Sequence, residues 1–225
     1  NFIDISIKYQ QQPFLHQPVD GKWHAFSFTD VEQQARTIAA GLLNQGYQPG
    51  DRIGLLSKNC AQWFIADLAI MMAGFVSVPI YATAGGKTIS YIIEHSQMKA
   101  IFVGKLDSLD AATASIPSAV LSIAFPYPTV TCSQSWKTWL TEYQPLTTIH
   151  QPKLNDCMFI IYTSGTTGDP KGVMHKFYNF SFATVNAVKA LSLKEESFFS
   201  YLPLCHIAER LLVLMGSLYT GGKVS

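Results

Sequence analysis

The chain has 225 residues, with 16 Lys+Arg against 15 Asp+Glu and a formal net charge of +1, so its overall charge gives no reason to expect DNA, RNA or an anionic membrane surface as a partner. At 48% hydrophobic, 12% aromatic and only 14% charged it is richer in core-forming residues than a typical soluble domain, which excludes intrinsic disorder. At roughly 150 residues per domain the length fits one large domain or the front of something longer. An opening Asn1 and a closing Gly221-Gly222-Lys223-Val224-Ser225, which reads as a turn entering a strand, give the expectation of a fragment. No basic segment followed by an apolar run marks a secretory signal, so a cytoplasmic location is expected. Cys60, Cys132, Cys157 and Cys205 are far apart and form no C-x-x-C pair, which predicts reduced, mostly buried thiols rather than a zinc knuckle or a disulfide framework.

The first periodic segment carries Val31, Ala35, Ile38, Ala39, Leu42 and Leu43 on one helical face. Thr29-x-x-Glu32 reads as its capping box, and Gly46 is placed to end it in a left-handed conformation. Arg52 to Leu56 reads as a short buried strand, Asn59 as an N-cap, and the following apolar stretch as a helix through Met72. Trp63 to Tyr81 is about as long as a bilayer-spanning helix, but Asp67, Gly74 and Pro79 split it into a buried helix and a strand, Val76 to Ile80. Ile89, Ile92, Ile93 and Ser96 predict a short helix, and Ala100 to Val103 and Val120 to Ala124 two more strands, with Pro117, Pro126 and Pro128 in the loops.

Strands alternating with helices predict βαβ units, hence an α/β fold with a mostly parallel sheet covered by helices on both faces. Between Phe125 and Asn155 the pattern loosens around Trp136 and Trp139, which reads as a connection between two sheet regions, with a subdomain boundary near 125–155. No internal repeat or low-complexity tract interrupts it.

The most informative stretch follows Met158. Met-Phe-Ile-Ile-Tyr reads as a buried strand, and it runs into Thr163-Ser164-Gly165-Thr166-Thr167-Gly168-Asp169-Pro170-Lys171-Gly172. Glycines let the backbone turn and expose N–H groups, hydroxyls add donors and a lysine adds a point charge, which together make a cradle for phosphate. Composition alone also fits a Gly/Ser/Thr-rich surface turn. The order of residues excludes a Walker A loop, because Asp169-Pro170 separates Gly168 from Lys171 and Gly172 follows the lysine. Tyr162 to Gly172 closely resembles the phosphate-binding loop of the AMP-forming acyl-adenylating superfamily, which includes acyl-CoA synthetases, luciferases and peptide-synthetase adenylation domains.

A second segment, Tyr201-Leu202-Pro203-Leu204-Cys205-His206-Ile207-Ala208-Glu209-Arg210, resembles the long-chain acyl-CoA synthetase branch. Gly50-Asp51-Arg52-Ile53-Gly54 and Gly74-Phe75-Val76-Ser77-Val78-Pro79-Ile80 also resemble the opening half of such enzymes. The departure is at Lys176 and Phe177, where the commoner continuation has Ser/Thr and then His. The resemblance implies that residues 1–225 are the first part of a large N-terminal AMP-binding domain. The adenine, ribose and magnesium-carboxylate contacts and a mobile C-terminal domain would then lie beyond Ser225, so the chain alone is expected to have little adenylating activity.

The implied reaction activates a fatty acid with ATP and Mg²⁺ to acyl-AMP and passes the acyl group to coenzyme A. Backbone N–H groups of Gly165 to Gly168 and the hydroxyls of Ser164, Thr166 and Thr167 would hold the β- and γ-phosphates. Lys171 would offset charge on the leaving pyrophosphate, Thr163 would contact Mg²⁺, and His206 would orient the acyl carboxylate or line its pocket. A sibling enzyme acting on another acid or a carrier protein, and a non-catalytic nucleotide-binding homologue, stay open as alternatives. A long-chain acid dissolves in membranes, which leaves peripheral membrane contact open too, although no basic amphipathic helix points to it. Asp169 lies inside the phosphate loop and is not read as a ribose ligand. Ser96-x-x-Lys99 and Asn179-Phe180-Ser181 are read as coincidental motif matches, and His206 with Glu209 lacks a third metal ligand.

Overall fold

The structure, a computed structural model, describes residues 2–19, 21–163 and 168–225. Phe2–Tyr9 forms α1, Pro13–Val19 and Lys22–Ser27 form the hairpin strands β1 and β2, and Phe28–Asn44 forms α2. Arg52–Leu56 (β3), Ala61–Met72 (α3), Val76–Ile80 (β4), Gly86–Ser96 (α4), Ala100–Val103 (β5), Leu109–Thr113 (α5) and Leu121–Ala124 (β6) then alternate. Gln134–Ser135 (β7) and Trp136–Glu142 (α6) precede a second hairpin, Cys157–Thr163 (β8) and Lys171–Lys176 (β9). Phe177–Ala190 (α7), Ser197–Phe198 (β10), Ile207–Glu209 (α8), a π-helical turn Arg210–Met215, Gly216–Thr220 (α9) and Lys223–Val224 (β11) complete the described chain.

Among the described residues, a seven-stranded sheet runs β7-β6-β5-β3-β4-β8-β9, parallel throughout except for the antiparallel β8–β9 pair. A second sheet runs β10-β11-β1-β2. The period-2 geometry of strands divides the side chains of the larger sheet between two cores. Ile53, Leu55, Ala100 and Phe102 pack under α2 and α3, while Leu56, Ile101 and Val103 pack against Ile89, Ile92 and Ile93 of α4. This is the α/β arrangement with helices on both faces that the sequence predicts.

Several local expectations are met. Of the six periodic residues of α2, five are fully buried and Leu43, at the C-terminal end, is 38% exposed. Gly46 follows the C-cap Gln45 with φ of 80°. Cys60 and Cys205 are buried thiols, whereas Cys132 and Cys157 are half-buried.

Others are corrected. The capping box of α2 is made by Ser27 and Asp30, not Thr29 and Glu32: the Ser27 hydroxyl accepts from the Asp30 N–H and the Asp30 carboxylate accepts from the Ser27 N–H. Glu32 instead pairs with Arg36 one turn on. The N-cap of α3 is Cys60, without a side-chain cap. Apart from these corrections, residues 125–155 carry β7 and α6 and run between β6 and β8 of the seven-stranded sheet, with Trp136 and Trp139 buried beside Phe102 and Phe125.

The helix α3 accounts for the apolar run that had membrane-span length. It is buried on every side except at Met71, the pattern of a central helix rather than an amphipathic surface one. Among the described residues, no helix is long and apolar enough to cross a membrane. Its one charge, Asp67, is fully buried and ion-paired with Arg210 at 2.8 Å, which is also fully buried.

The corrected cap makes a discriminating prediction. Ser27→Ala should lower unfolding free energy by about 1 kcal/mol, whereas Thr29→Ala should stay within about 0.5 kcal/mol of the parent, both read from urea midpoints.

Candidate functional site

The predicted phosphate loop leaves the sheet from β8. Met158, Phe159, Ile161 and Tyr162 bury this strand against β4, while its last residue, Thr163, is exposed. The chain returns as β9, and the antiparallel register sets Thr163 opposite Lys171 and Tyr162 opposite Gly172. The predicted magnesium-contacting hydroxyl and the predicted cation therefore stand on neighbouring strands at the base of the connection, both exposed. Ser164, Gly165, Thr166 and Thr167 lie outside the described residues. Gly168 has φ of 155°, a region that side chains with a Cβ rarely adopt, and it is exposed beside Asp169.

Gly172 lies in close approach to its neighbours. A Cβ there would come within 3.0 Å of Ile160 Cγ2 and 3.1 Å of the Tyr162 ring. The Tyr162 hydroxyl is in turn held by His95 Nδ1 at 2.8 Å, and His95 is stacked on Tyr91 of α4. Burial pushes the Tyr162 phenol above its ordinary range, with the neighbouring Tyr91 adding to the effect. The strand end is thus fixed from the α4 side by packing and a hydrogen bond.

The second motif is fixed by α3. Asn59, read as an N-cap from sequence, instead clasps the segment before His206. Its amide donates to Ser200 Oγ at 2.9 Å and to the Leu202 carbonyl at 2.7 Å, and its carbonyl oxygen accepts from the Leu204 N–H at 3.0 Å. Leu204 and Cys205 are buried, and burial pushes the Cys205 thiol up to about 12, so it is no nucleophile at neutral pH. His206 itself is exposed and N-caps α8, its Nδ1 accepting from the Ala208 N–H at 3.2 Å. Its backbone N–H donates to the Pro203 carbonyl and its carbonyl accepts from the Arg210 N–H.

Glu209 is buried and accepts from Ser200 Oγ at 2.7 Å; desolvation raises its carboxyl above the usual range, partly offset by that hydrogen bond. Among the described residues, no group of three or more His, Cys, Asp or Glu could hold a metal ion. Ser96 spends its hydroxyl on the Ile93 carbonyl at 3.3 Å in the core, a structural use.

The two motifs meet through Arg210. Its guanidinium lies 4.2 Å from the Phe159 ring centroid on β8 and 5.3 Å from that of Trp63 on α3. His206 makes its hydrogen bonds within its own segment and is linked to β8 by way of Arg210. Sequence reasoning missed Asn59 as a clasp and Arg210 as a bridge. The available signal was a pair of charges, Asp67 and Arg210, each next to long apolar runs.

A family model described as AMP-binding enzyme matches residues 7–225. The chain belongs to the AMP-binding enzyme family. It is 31% identical over 96% of its length to long chain acyl-CoA synthetase 7, peroxisomal, of Arabidopsis thaliana, covering 34% of that protein. To fatty acyl-CoA synthetase A of Dictyostelium discoideum it is 32% identical over 91% of its length, covering 32% of that protein. The chain thus spans about a third of the length of the curated relatives it matches. Among solved structures, the anthranilate CoA ligase AuaEII in complex with anthranoyl-AMP aligns with all of the chain at a TM-score of 0.85 and 21% identity, covering 44% of that structure. The O-succinylbenzoate coenzyme A synthetase of Bacillus subtilis, in complex with AMP, aligns with 99% of the chain at a TM-score of 0.82 and 21% identity, covering 54% of that structure. These likenesses establish that the acyl-adenylating fold is shared.

Two predictions test this geometry. Gly172→Val should destabilise the protein by about 1–3 kcal/mol through overpacking against Ile160 and Tyr162, seen as a lower urea midpoint. His175 is half-buried and stacked on Phe159 at 4.7 Å, and burial, with the positive charge of Arg210 second, lowers its proton affinity in the folded state. As pH falls below about 6.5 the unfolded chain therefore takes up this proton before the folded one, and stability drops. Between pH 7.5 and 5.5 the parent should lose more stability than His175→Gln.

Proposed function

We propose that this chain supplies the triphosphate-gripping part of an ATP-dependent, long-chain fatty acid:CoA ligase. One observation supports the reading most: the register of β8 and β9 that pairs Thr163 with Lys171 at the base of a Gly/Ser/Thr-rich connection. In the first step a carboxylate oxygen of the acid attacks the α-phosphorus of ATP, forming acyl-AMP as the bond to pyrophosphate breaks. In the second, the thiol of coenzyme A attacks the acyl carbon, forming the thioester as AMP leaves with the bonding electrons.

Such transfers depend chiefly on positioning and charge neutralisation. Backbone N–H groups of Gly165 to Gly168, with the hydroxyls of Ser164, Thr166 and Thr167, are assigned to the β- and γ-phosphates. Lys171 offsets the charge that grows on the leaving pyrophosphate. A hard cation such as Mg²⁺ accepts a protein hydroxyl beside substrate oxygens. The exposed Thr163 fits that use, with the ion arriving on the nucleotide. His206, exposed at the start of α8, is assigned to the acyl carboxylate. The long-chain substrate class is supported by the names of the relatives above and by the Leu-Pro-Leu-Cys-His segment.

The test uses the natural gene product, assayed for acid-dependent ATP–pyrophosphate exchange across short, long and aromatic acids. Lys171→Ala should reduce exchange by about 10²-fold or more, with long-chain acids the preferred substrates of the parent. Undiminished exchange would remove Lys171 from the reaction, and preference for an aromatic or amino acid would replace the substrate class.

A further inference from the structure

We propose that Arg210 and Asp67 are positioning residues. Their buried pair sets where the His206 segment stands relative to β8, the strand that carries the phosphate loop. The functional consequence rests on the assignment of His206 to the acyl carboxylate; the mechanical part does not.

Four observations converge on this pair. First, Arg210 Nη2 donates to both carboxylate oxygens of Asp67, at 2.9 and 2.8 Å, and both side chains are fully buried. Second, the guanidinium lies over Phe159 of β8 and near Trp63 of α3, so one side chain touches the phosphate strand and the central helix together. Third, the Arg210 N–H donates to the His206 carbonyl at 3.1 Å, so fixing Arg210 fixes the turn that presents His206. Fourth, Arg210 opens the π-helical turn Arg210–Met215, a wide-turn geometry frequently found at functional sites.

Stability alone is a poor reason for such a pair. Taking two charges out of water costs several kcal/mol per ion, and well-packed apolar replacements are often neutral or stabilising. Among the described residues, Arg210 Nε and Nη1 also lack a hydrogen-bond partner. In some proteins a buried polar or ionic group is retained because it fixes one geometry, and that is the use proposed for this pair. The Asp67–Arg210 bond holds the segment after His206, while Asn59 holds the segment before it at Ser200, Leu202 and Leu204. Both anchors belong to α3 or the residue pair preceding it, so the helix acts as a common datum for His206 and, through Arg210 on Phe159, for β8.

The experiment uses the natural gene product with the double variant Asp67→Leu/Arg210→Met, the shape-preserving single variant Asp67→Asn, and His206→Ala as reference. Amide hydrogen exchange over residues 204–209 reads the positioning directly, and the KM for ATP and turnover with a long-chain acid read its consequence. The expected result is faster exchange at 204–209 in both pair variants, and a loss of acid turnover of about tenfold to 10²-fold, with the KM for ATP changed by less than about twofold. His206→Ala added to the double variant should then cost little more, since two residues acting through one geometry are not additive. Unchanged exchange at 204–209 in a folded Asp67→Asn protein would overturn the proposal, whatever His206→Ala does. Faster exchange together with a silent His206→Ala would uphold the positioning and reject only the role assigned to His206.

Discussion

Thr163 and Lys171 face each other across two antiparallel strands, and that pairing fixes both ends of the 164–170 connection at a cross-strand spacing of about 5 Å. At the base of the hairpin Gly172 lies close against the Tyr162 ring, and His95 holds that ring from α4. The geometry at the base of the connection therefore draws on residues outside it.

The same economy governs the second motif. The exposed His206 caps a helical run that continues without a break from Ile207 through the π-helical turn to Thr220. Here Asn59 and the Asp67–Arg210 pair supply the constraint from α3, a helix buried on nearly every side and so unable to shift without disturbing the core. Close-packed interiors transmit displacement rather than absorb it.

Much of this was legible in the sequence because the relevant patterns are local. Periodic apolar residues predict α2 and α4, short β-branched runs predict β3, β4 and β5, and the ordered glycines, hydroxyls and lysine of residues 163–172 point to phosphate. What escaped was non-local. The strand β9 is almost wholly exposed and carries Gly172, so it shows no alternation and declares itself only by pairing with β8. Asn59 stands one residue before a helix-capping position, and nothing local distinguishes an N-cap from a clasp on residues 141 to 145 positions away. The Ser27–Asp30 box competes in the sequence with the equally well-spaced Thr29 and Glu32, which differ from it only in where the backbone begins to coil. Trp136 and Trp139 sit among loop-forming residues, yet tertiary packing against Phe102 and Phe125 makes them core.

The central claim is that the connection between Thr163 and Lys171 grips the triphosphate of ATP. A crystal structure of the natural gene product with a non-hydrolysable ATP analogue tests it most directly. The account predicts the β- and γ-phosphates seated against residues 164–168 with the Lys171 ammonium within ion-pair distance. Density for the triphosphate at any other part of the fold would contradict it.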